Sequence, residues 1–560
     1  MDRTNSNLAF CSAMAEELSR CGVQLAVISP GSRSTPLALA FEREPGIETF
    51  VGVDERACSF LALGAAQASS TPVVLICTSG TASANYHPAV AEADLSAVPL
   101  ILLTADRPPE LRDVGAGQAI DQIKMFGDAV RLFVEVGDHR ADDPGLIHSR
   151  SLACRAFSAS AGDPRPGPVQ LNLGLREPLA PVPDPASVVA SSTLALEGRG
   201  DRPLTEVISK PADPADPDIQ RVSSLLQGRA RVMIIAGRQL DTGVAEPACR
   251  LAEHLGAPLL AEPTSQLRSG PHDTGRVIWR YDSILGSDEA LEPLTPEAVI
   301  RIGEMPTSKA LRKMLSEAPD CVQIVVDPSG GWHEPSRIAD LILRSDTGST
   351  LERFAATLPA APDDAFVRQW LAAQDGTIGA DRGDGRLDRA AIHRAIHRTA
   401  KDGEIIYTAS SLAIRDQEAE APPGPQALTY LANRGANGID GLVSSGIGAA
   451  LATGKRTTAV TGDVGFRHDV GALDLLAGLD LDIRIVVVND GGGRIFERLP
   501  QKDSMSPEEF DRLMLTPGSV EPSVLAATWG IPATRVDDID ALVEALEHPG
   551  PLVVEVCPDH

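Results

Sequence analysis

Two aspartates near the end of this 560-residue chain occupy positions where ligands of a metal ion are expected. Asp463 follows the apolar run TTAVTG, Asp490 follows the apolar run IRIVVVN, and glycines come shortly after each aspartate. Because neighbouring parallel strands end at the same edge of a sheet, the two carboxylates can meet there. Mg²⁺ binds one or two carboxylates together with phosphate oxygens, and glycines let backbone amides approach a diphosphate. The pattern therefore predicts a metal–diphosphate site.

Glu55 is a third carboxylate with a chemical interpretation. It lies where the run ETFVGV gives way to a segment of mostly small and apolar residues. A carboxylate in apolar surroundings can share a proton with a ring nitrogen of a ligand. The same position also suits an ordinary acidic residue in the first turn of a helix, where the helix dipole favours negative charge. From this residue alone, the second interpretation is favoured.

Polar and basic residues follow other apolar runs of the N-terminal third. Ser32 and Arg33 lie in the turn SPGSRS, Arg107 follows PLILLTAD, and Gln118 lies in GAGQAIDQ. Free amides at a helix start, together with an arginine, can bind an anion. The alternative for the first turn is a simple connection with Ser34 as the helix N-cap.

A second group of basic residues lies in the last third. Ser411 and Arg415 follow the run EIIYTAS, and Arg434 precedes the segment GANGI. Arginines bind carboxylates through two parallel hydrogen bonds. Solvation at the surface is the usual role of any single arginine, but several arginines that follow strands argue for a site that binds anions.

The elements that would position these residues alternate strand-like and helix-like patterns, which predicts an α/β fold with mainly parallel sheets. We expect three doubly wound domains: an N-terminal domain at 1–185, a central domain at 205–360 and a C-terminal domain at 380–560. Loose stretches rich in Pro, Ala, Ser and Asp, at 181–215 and from about 357 to 386, would connect them. The central domain lacks a G-x-G-x-x-G segment between strand and helix, so no nucleotide is predicted there.

The segment from Gly441 to Gly454 superficially resembles a dinucleotide-binding turn. It follows an irregular glycine-rich stretch instead of a clear strand, and no ribose-binding acid comes at the expected distance. The pattern instead predicts the start of a helix whose small residues allow close packing.

Composition limits the partners and the compartment. A net charge of −27 repels nucleic acid and anionic membrane surfaces. The chain has no apolar run near the ~18 residues of a membrane span, which predicts no membrane insertion. Eight cysteines without a C-x-x-C pair, and an N-terminus without a signal segment, predict reduced thiols in the cytoplasm.

Together these features resemble the thiamine-diphosphate enzyme superfamily: an acidic turn, an α/β spacer, a second Asp-Gly turn and a distant Glu after a strand. Within the superfamily, the chain looks like the carboligases of menaquinone biosynthesis. Six segments carry this resemblance: SPGSRSTPLALAF, VDERACSFLALGAA, TSGTASANYHPAVAEADLSAVPLILLTADRPPEL, GAGQAIDQ, NRGANGIDGL and NDGGGRIFERLP.

The resemblance implies a cofactor, thiamine diphosphate, and a divalent ion, Mg²⁺ or Mn²⁺ in its place. Glu55 would hydrogen-bond the pyrimidine ring, and Ile439 would support the bent cofactor. The metal would be held by Asp463, Asp490 and the carbonyl of Gly492. The full set of cofactor contacts would be Glu55, Ile439, Gly462, Asp463, Val464, Asp490, Gly492 and Gly493.

The resemblance also implies the reaction: decarboxylation of 2-oxoglutarate and transfer of the remaining succinyl-semialdehyde unit to isochorismate by 1,4-addition. The residues implied in catalysis are Glu55, Arg33, Gln118, Arg415 and Arg434. The residues implied in substrate binding are Ser32, Arg33, Arg107, Gln118, Lys309, Ser411, Arg415, Arg434, Ile495, Phe496 and Leu499, the last three as an apolar wall. In this superfamily the outer domains meet across subunits, which implies a homodimer or a dimer of dimers.

Two alternatives remain open at this point. One is another thiamine-diphosphate decarboxylase or an acetolactate-type synthase that acts on a smaller 2-keto acid; such a site needs fewer basic residues. The other is a nucleotide-binding or regulatory protein without catalysis, which the combination of Glu55 with both aspartates disfavours.

Overall fold

Three six-stranded sheets follow one another along the chain, and the strand pairings within each are parallel. The structure is a computed structural model that describes residues 1–137, 139–162, 165–287, 292–380 and 386–559. Helices connect the strands, as parallel pairing requires. The predicted α/β fold with three doubly wound sheets is therefore confirmed, whereas the exact domain boundaries stay a prediction.

The first sheet has the strand order β2-β1-β3-β4-β6-β5. Strands β3 and β4 are buried along their whole length, which is why they read as continuous apolar runs. The strands are β1 (Leu25–Ile28), β2 (Glu48–Val51), β3 (Val73–Cys77), β4 (Leu100–Asp106), β5 (Leu132–Val136) and β6 (Pro168–Gly174). The helices are α1 (Ser6–Cys21), α2 (Thr35–Glu42), α3 (Glu55–Ser69), α4 (Thr81–Ala84), α5 (His87–Leu95), α6 (Asp143–Ala161) and α7 (Thr193–Glu197).

The middle sheet has the order β12-β11-β10-β7-β8-β9. Its strands are β7 (Val232–Ala236), β8 (Leu259–Ala261), β9 (Val277–Ile278), β10 (Ala298–Ile302), β11 (Val322–Val326) and β12 (Leu341–Leu343). Its helices are α8 (Asp216–Leu226), α9 (Ala245–His254), α10 (Tyr281–Leu285), α11 (Lys309–Ser316), α12 (Thr347–Thr357) and α13 (Ala365–Ala380). The apolar faces of these elements form two buried clusters, one on each side of the sheet.

The third sheet has the order β14-β13-β15-β16-β18-β17. Its strands are β13 (Ile405–Thr408), β14 (Thr429–Leu431), β15 (Thr457–Gly462), β16 (Ile483–Val488), β17 (Ala533–Val536) and β18 (Leu552–Val556). The helices of this part of the chain are α14 (Arg389–Thr399), α15 (Leu412–Glu420), α16 (Leu442–Thr453), α17 (Asp463–His468), α18 (Ala472–Leu476), α19 (Pro507–Phe510), α20 (Pro522–Thr528) and α21 (Ile539–Glu547).

The chain forms two compact units. The first contains Met1–Ser209 together with Asn433–Gly454 and His468–Leu481. The second contains the middle and third sheets, within Lys210–Ala432, Lys455–Arg467 and Asp482–His560. Among the helices of the described ranges, none is both long and apolar enough to cross a membrane.

The expectation of a loose connection from about 357 to 386 is wrong for much of that stretch. Helix α13 spans Ala365–Ala380, and Phe366 and Trp370 are buried in a cluster of the middle sheet. Two large aromatic side chains on one helix face supply enough apolar burial to order a segment whose composition is typical of a loop. Residues 381–385, also in that stretch, lie outside the described residues.

The helix predicted after Gly441 is confirmed as α16, and it packs closely on α3 in the first unit. A Cβ added at Gly448 would lie 1.9 Å from the carbonyl oxygen of Leu61, and one at Gly64 would lie 1.9 Å from that of Ser445. Both contacts are with backbone, which cannot move aside as a side chain can. Gly448 of α16 and Gly64 of α3 therefore set the spacing between the two helices.

We expect Gly448→Ala to destabilise the first unit by about 1–3 kcal/mol, the usual cost of overpacking. The gain in helix propensity, up to about 1 kcal/mol, opposes this loss without cancelling it. Urea unfolding followed by circular dichroism measures the change. Gly376→Ala is the matched control, because Gly376 lies in α13 with no atom within 4 Å of its added Cβ. Equal midpoints for both variants would contradict the close packing.

Candidate active site

Asp463 and Asp490 lie at the carboxyl ends of adjacent strands in the third sheet. Strands β15 and β16 pair up to the register Gly462–Val488, so the chain reaches Asp463 and Asp490 just beyond paired strand ends. Both side chains are buried, with 4% and 6% of their surface exposed. The sheet thus produces the strand-end placement that the sequence predicted for these two aspartates.

The electrostatics of this pair suit a divalent cation. Burial raises the pKa of both carboxyls above its ordinary value, and the charge of Asp490 raises that of Asp463 further. A hydrogen bond with the backbone of Gly492 opposes the rise at Asp463, and pairing with Arg389 opposes it at Asp490. Two buried carboxylates that repel each other form a donor set that a bound cation would stabilise.

The glycine turn after Asp490 fits tightly against the segment near Leu515. Gly492 has a φ of 129°, and a Cβ there would lie 2.3 Å from the Leu515 carbonyl oxygen. The amide of Gly493 donates to the same oxygen at 2.7 Å. A side chain at position 492 would push this turn away from the aspartates, so the turn requires glycine there.

Arg389 is a site residue that the sequence reasoning missed. Its guanidinium donates to a carboxylate oxygen of Asp490, and its Nε donates to Asp416 at 2.7 Å. Arg494 holds the same turn, because its Nε donates to the carbonyl of Asp490 at 2.8 Å. Arg389 lies in α14, 101 residues before Asp490, and no local pattern signals the pairing.

Ser411 and Arg415 lie beyond the carboxyl end of β13, the strand next to β15. Ser411 has a φ of 74° at the start of α15, and the guanidinium of Arg415 donates to the Ser411 carbonyl at 2.5 Å. In the second unit, the structure therefore brings Ser411, Arg415, Asp463 and Asp490 to the ends of three neighbouring strands.

The remaining predicted residues of the second unit lie in two places. Ile495 and Phe496 belong to the short 3₁₀-helix Arg494–Arg498, Leu499 follows it, and all three side chains are half-buried. Lys309 is exposed as the first residue of α11, a helix of the middle sheet. Ile495, Phe496 and Leu499 thus form one short segment that directly follows the glycine turn. Lys309 instead lies in a helix that packs on the middle sheet.

Glu55 is the first residue of α3, directly after the turn that follows β2. Its side chain is half-buried, less than the apolar surroundings suggested, and its carboxylate accepts a hydrogen bond from Asn85 Nδ2 at 3.3 Å. Asp54, not Glu55, caps the helix by accepting from the amide of Ala57 at 3.1 Å. The carboxylate of Glu55 is therefore not used to cap α3.

Arg33 and Arg107 lie near each other in the first unit, beyond the ends of β1 and β4. Arg33 donates to the Leu175 carbonyl at 2.8 Å; burial lowers its pKa, and so does the charge of Arg107. The Nε and Nη2 atoms of Arg107 donate to the Gly117 carbonyl at 3.1 and 2.8 Å. Two cations held close together are a natural binding site for an anion.

Gln118, Ser32 and Arg434 complete the polar residues of this unit, and Ile439 is its remaining predicted cofactor contact. Gln118 has a φ of 57° and exchanges two hydrogen bonds with Ser79, at 2.9 and 3.0 Å. Ser32 is exposed, Arg434 is half-buried and Ile439 is 39% exposed. Glu55, Arg33 and Arg107 thus follow the neighbouring strands β2, β1 and β4 along one sheet edge. Gln118 comes later in the chain than Arg107, and its hydrogen bonds join it to Ser79, which follows β3.

Comparison with known proteins identifies the family. Residues 10–125 match the N-terminal TPP binding domain of thiamine pyrophosphate enzymes, and residues 424–556 match the C-terminal TPP binding domain. A protein from Haloarcula marismortui named 2-succinyl-5-enolpyruvyl-6-hydroxy-3-cyclohexene-1-carboxylate synthase is 38% identical over 99% of this chain and 96% of its own. The chain belongs to this synthase family.

A further relative and one solved structure were also found to be similar. A synthase of the same name from Geobacillus thermodenitrificans is 38% identical, with 99% of this chain and 94% of its own covered. A thiamine diphosphate-dependent 4-hydroxybenzoylformate decarboxylase from Rhodococcus jostii has a TM-score of 0.72 over 98% of this chain and 99% of its own, at 17% identity. That likeness concerns the fold, whereas the sequence identities place the chain in the synthase family.

Proposed function

We propose that this protein is a thiamine-diphosphate-dependent synthase of menaquinone biosynthesis. It decarboxylates 2-oxoglutarate and transfers the succinyl-semialdehyde unit to isochorismate, giving 2-succinyl-5-enolpyruvyl-6-hydroxy-3-cyclohexene-1-carboxylate. The observation that carries the proposal is the 38% identity to named synthases along 99% of the chain. The placement of the basic residues at strand ends supports it independently.

The proposed cofactor site uses the third sheet. Asp463, Asp490 and the Gly492 carbonyl would hold Mg²⁺, or Mn²⁺ in its place, on the diphosphate. Gly462, Val464 and Gly493 would approach the diphosphate with their backbone. When bound, thiamine diphosphate supplies the electron sink that decarboxylation of a 2-keto acid needs. The buried, mutually repelling carboxylates and the turn that requires glycine at 492 fit this role.

We propose that Glu55 would hold a proton at the pyrimidine ring nitrogen and that Ile439 would support the bent cofactor. A carboxylate is suited to this role because it both accepts and returns a proton. Its side chain is half-buried and accepts a hydrogen bond from Asn85, whose side chain is a neutral amide. The carboxylate therefore carries no competing ion pair in that contact.

Both proposed substrates are dicarboxylates, and the chain as a whole carries a net charge of −27. Binding these substrates requires local positive charge that outweighs the negative electrostatic potential of the whole chain. We propose that Ser32, Arg33, Arg107, Gln118, Lys309, Ser411, Arg415 and Arg434 supply it. Arg33, Gln118, Arg415 and Arg434 would also orient the reacting groups, and Ile495, Phe496 and Leu499 would exclude water from the apolar side.

A direct assay tests the proposal. The protein is incubated with 2-oxoglutarate, isochorismate, thiamine diphosphate and Mg²⁺, and the product is followed by mass spectrometry. We expect product that depends on both substrates and on the cofactor. Faster turnover of pyruvate than of 2-oxoglutarate, with isochorismate present, would instead support a decarboxylase or acetolactate-type synthase.

We further propose a homodimer, or a dimer of dimers, located in the cytoplasm, with three domains at 1–185, 205–360 and 380–560. Assembly across subunits is the arrangement that the superfamily resemblance implies. The eight free cysteines, six of them buried, support a reducing compartment. Light scattering of the purified protein at several concentrations tests the assembly, and a monomer at all of them would contradict it.

A further inference from the structure

Glu92 is a buried carboxylate that has no part in the proposed chemistry. It lies on α5, and only 2% of its surface is exposed. Its two oxygens accept from the backbone amides of Gly435 and Ala436, both at 2.7 Å. The hydroxyl of Ser96 also donates to it, at 2.5 Å. Three short hydrogen bonds therefore converge on one buried carboxylate, and two of them come from consecutive amides.

The two amides belong to the loop 434–441, which begins with Arg434 and carries Ile439. A Cβ at Gly435 would lie 2.7 Å from Leu95 Cβ, so this part of the loop touches α5 directly. Glu92 and α5 therefore hold the backbone immediately after Arg434 both by hydrogen bonds and by contact.

The far end of the same loop is held in a similar way. Asp469 accepts from the amides of Val443 and Ser444, at 2.9 and 2.7 Å, just after Gly441. Burial raises the pKa of Asp469 to about 6, and its hydrogen bonds with Ser444 and Val443 oppose that rise. A Cβ at Gly441 would lie 1.8 Å from the ring of Phe60. Both ends of the loop are thus fixed to buried groups of the first unit.

This arrangement bears on Arg434 in particular. A guanidinium that binds a carboxylate through two bonds must be placed accurately, and a displacement of 1 Å in a site can cost about 100-fold in rate. The backbone of Arg434 is covalently joined to the first amide that Glu92 holds. Glu92 therefore fixes the backbone at Arg434, and with it the point at which the Arg434 side chain is attached.

We propose that Glu92 is a positioning residue, which places the guanidinium of Arg434 for a substrate carboxylate by holding the amides of Gly435 and Ala436. This inference rests on the proposed function, because it takes Arg434 as a substrate contact. The alternative is a purely structural anchor, whose loss would weaken the fold without acting through Arg434.

The test uses Glu92→Gln in the full-length protein, assayed with saturating thiamine diphosphate and Mg²⁺. The variant keeps the size of the side chain, but its NH₂ group is a donor and cannot accept a hydrogen bond. One of the two backbone amides therefore loses its acceptor. We expect KM for one of the two dicarboxylates to rise by about 10-fold or more, with a smaller change in kcat. Ser96→Ala is the matched control, because it removes one donor to Glu92 and leaves both amide contacts; its KM values should equal those of the wild type.

A double-mutant cycle with Arg434→Met separates positioning from a structural role. If Glu92 acts through Arg434, adding Glu92→Gln to Arg434→Met raises KM no further. Wild-type KM values in Glu92→Gln, or increases that multiply in the double variant, would overturn the inference. If Glu92→Gln does not fold, Gly435→Ala displaces the same loop from the α5 side and enters the same cycle. Absence of synthase activity in the wild-type protein would instead overturn the proposed function.

Discussion

Glu55→Gln is expected to lower turnover by about 10²- to 10⁴-fold, the usual contribution of a positioned acid–base group. Glutamine keeps the shape of the side chain and can still form a hydrogen bond, but it cannot take up and return a proton. The fold should be retained, because Asp54 caps α3 through the Ala57 amide. We therefore expect a folded protein that binds thiamine diphosphate and turns over very slowly.

The measurement is kcat in the coupled assay with both substrates saturating, alongside circular dichroism and calorimetry with the cofactor. Glu48→Gln is the matched control, because Glu48 is exposed at the start of β2, the strand that precedes Glu55. It should leave kcat unchanged. Near-normal turnover in Glu55→Gln would show that Glu55 is only an acidic residue in the first turn of a helix.

The sheet architecture could be predicted from the sequence because buried parallel strands leave a strong signal. Strands such as β4 and β16 are buried along their whole length and mostly apolar, and the residue after each is easily located. Since parallel strands share one carboxyl edge, strand ends alone indicate which polar residues can meet. The ends of β15 and β16 predict in this way that Asp463 and Asp490 lie at one edge of the sheet.

Short strands at or next to the sheet edges produce too weak a pattern to be predicted from the sequence. Strand β9 has two residues, and β8, β12 and β14 have three each, so no alternation or apolar run could develop. The prediction for the segment of helix α13 was wrong for a different reason. The prolines and aspartates that flank this segment are typical of a loop. Its order depends on the burial of Trp370 by elements far away in the sequence.

Contacts that hold the candidate site residues were the hardest to predict. Arg389 reaches Asp490 across 101 positions, and Glu92 reaches Gly435 across 343. A strand-end argument finds residues at the edge of a sheet, but it cannot find a helix residue that binds a distant backbone amide. Such partners depend on tertiary packing, for which a single sequence carries no pairwise signal.

Asp463→Asn is expected to weaken the binding of thiamine diphosphate in Mg²⁺ by roughly 100-fold or more, since even groups behind a metal ligand are worth 10–100-fold. Asparagine keeps one oxygen but removes the negative charge that holds the cation. Isothermal titration calorimetry with the cofactor and Mg²⁺ measures the change. Asp375→Asn, on the exposed face of α13, is the control and should bind as the wild type does.

Although Asp463→Asn should weaken cofactor binding, it should raise the stability of the protein without cofactor or metal at pH 7. This difference distinguishes the loss of a metal ligand from damage to the fold. Burial and the charge of Asp490 raise the pKa of Asp463, so its ionised form is less favourable in the folded protein than in the unfolded chain. This unfavourable contribution to the stability of the folded protein is present at neutral pH. It disappears as the pH falls below the ordinary pKa range of a carboxyl group. Without cofactor or metal, Asp463→Asn should therefore unfold at a higher urea concentration than the wild type at pH 7, with a smaller difference in acid. Weaker binding together with lower stability at pH 7 would mean that Asp463 supports the fold and is not a site for the cation.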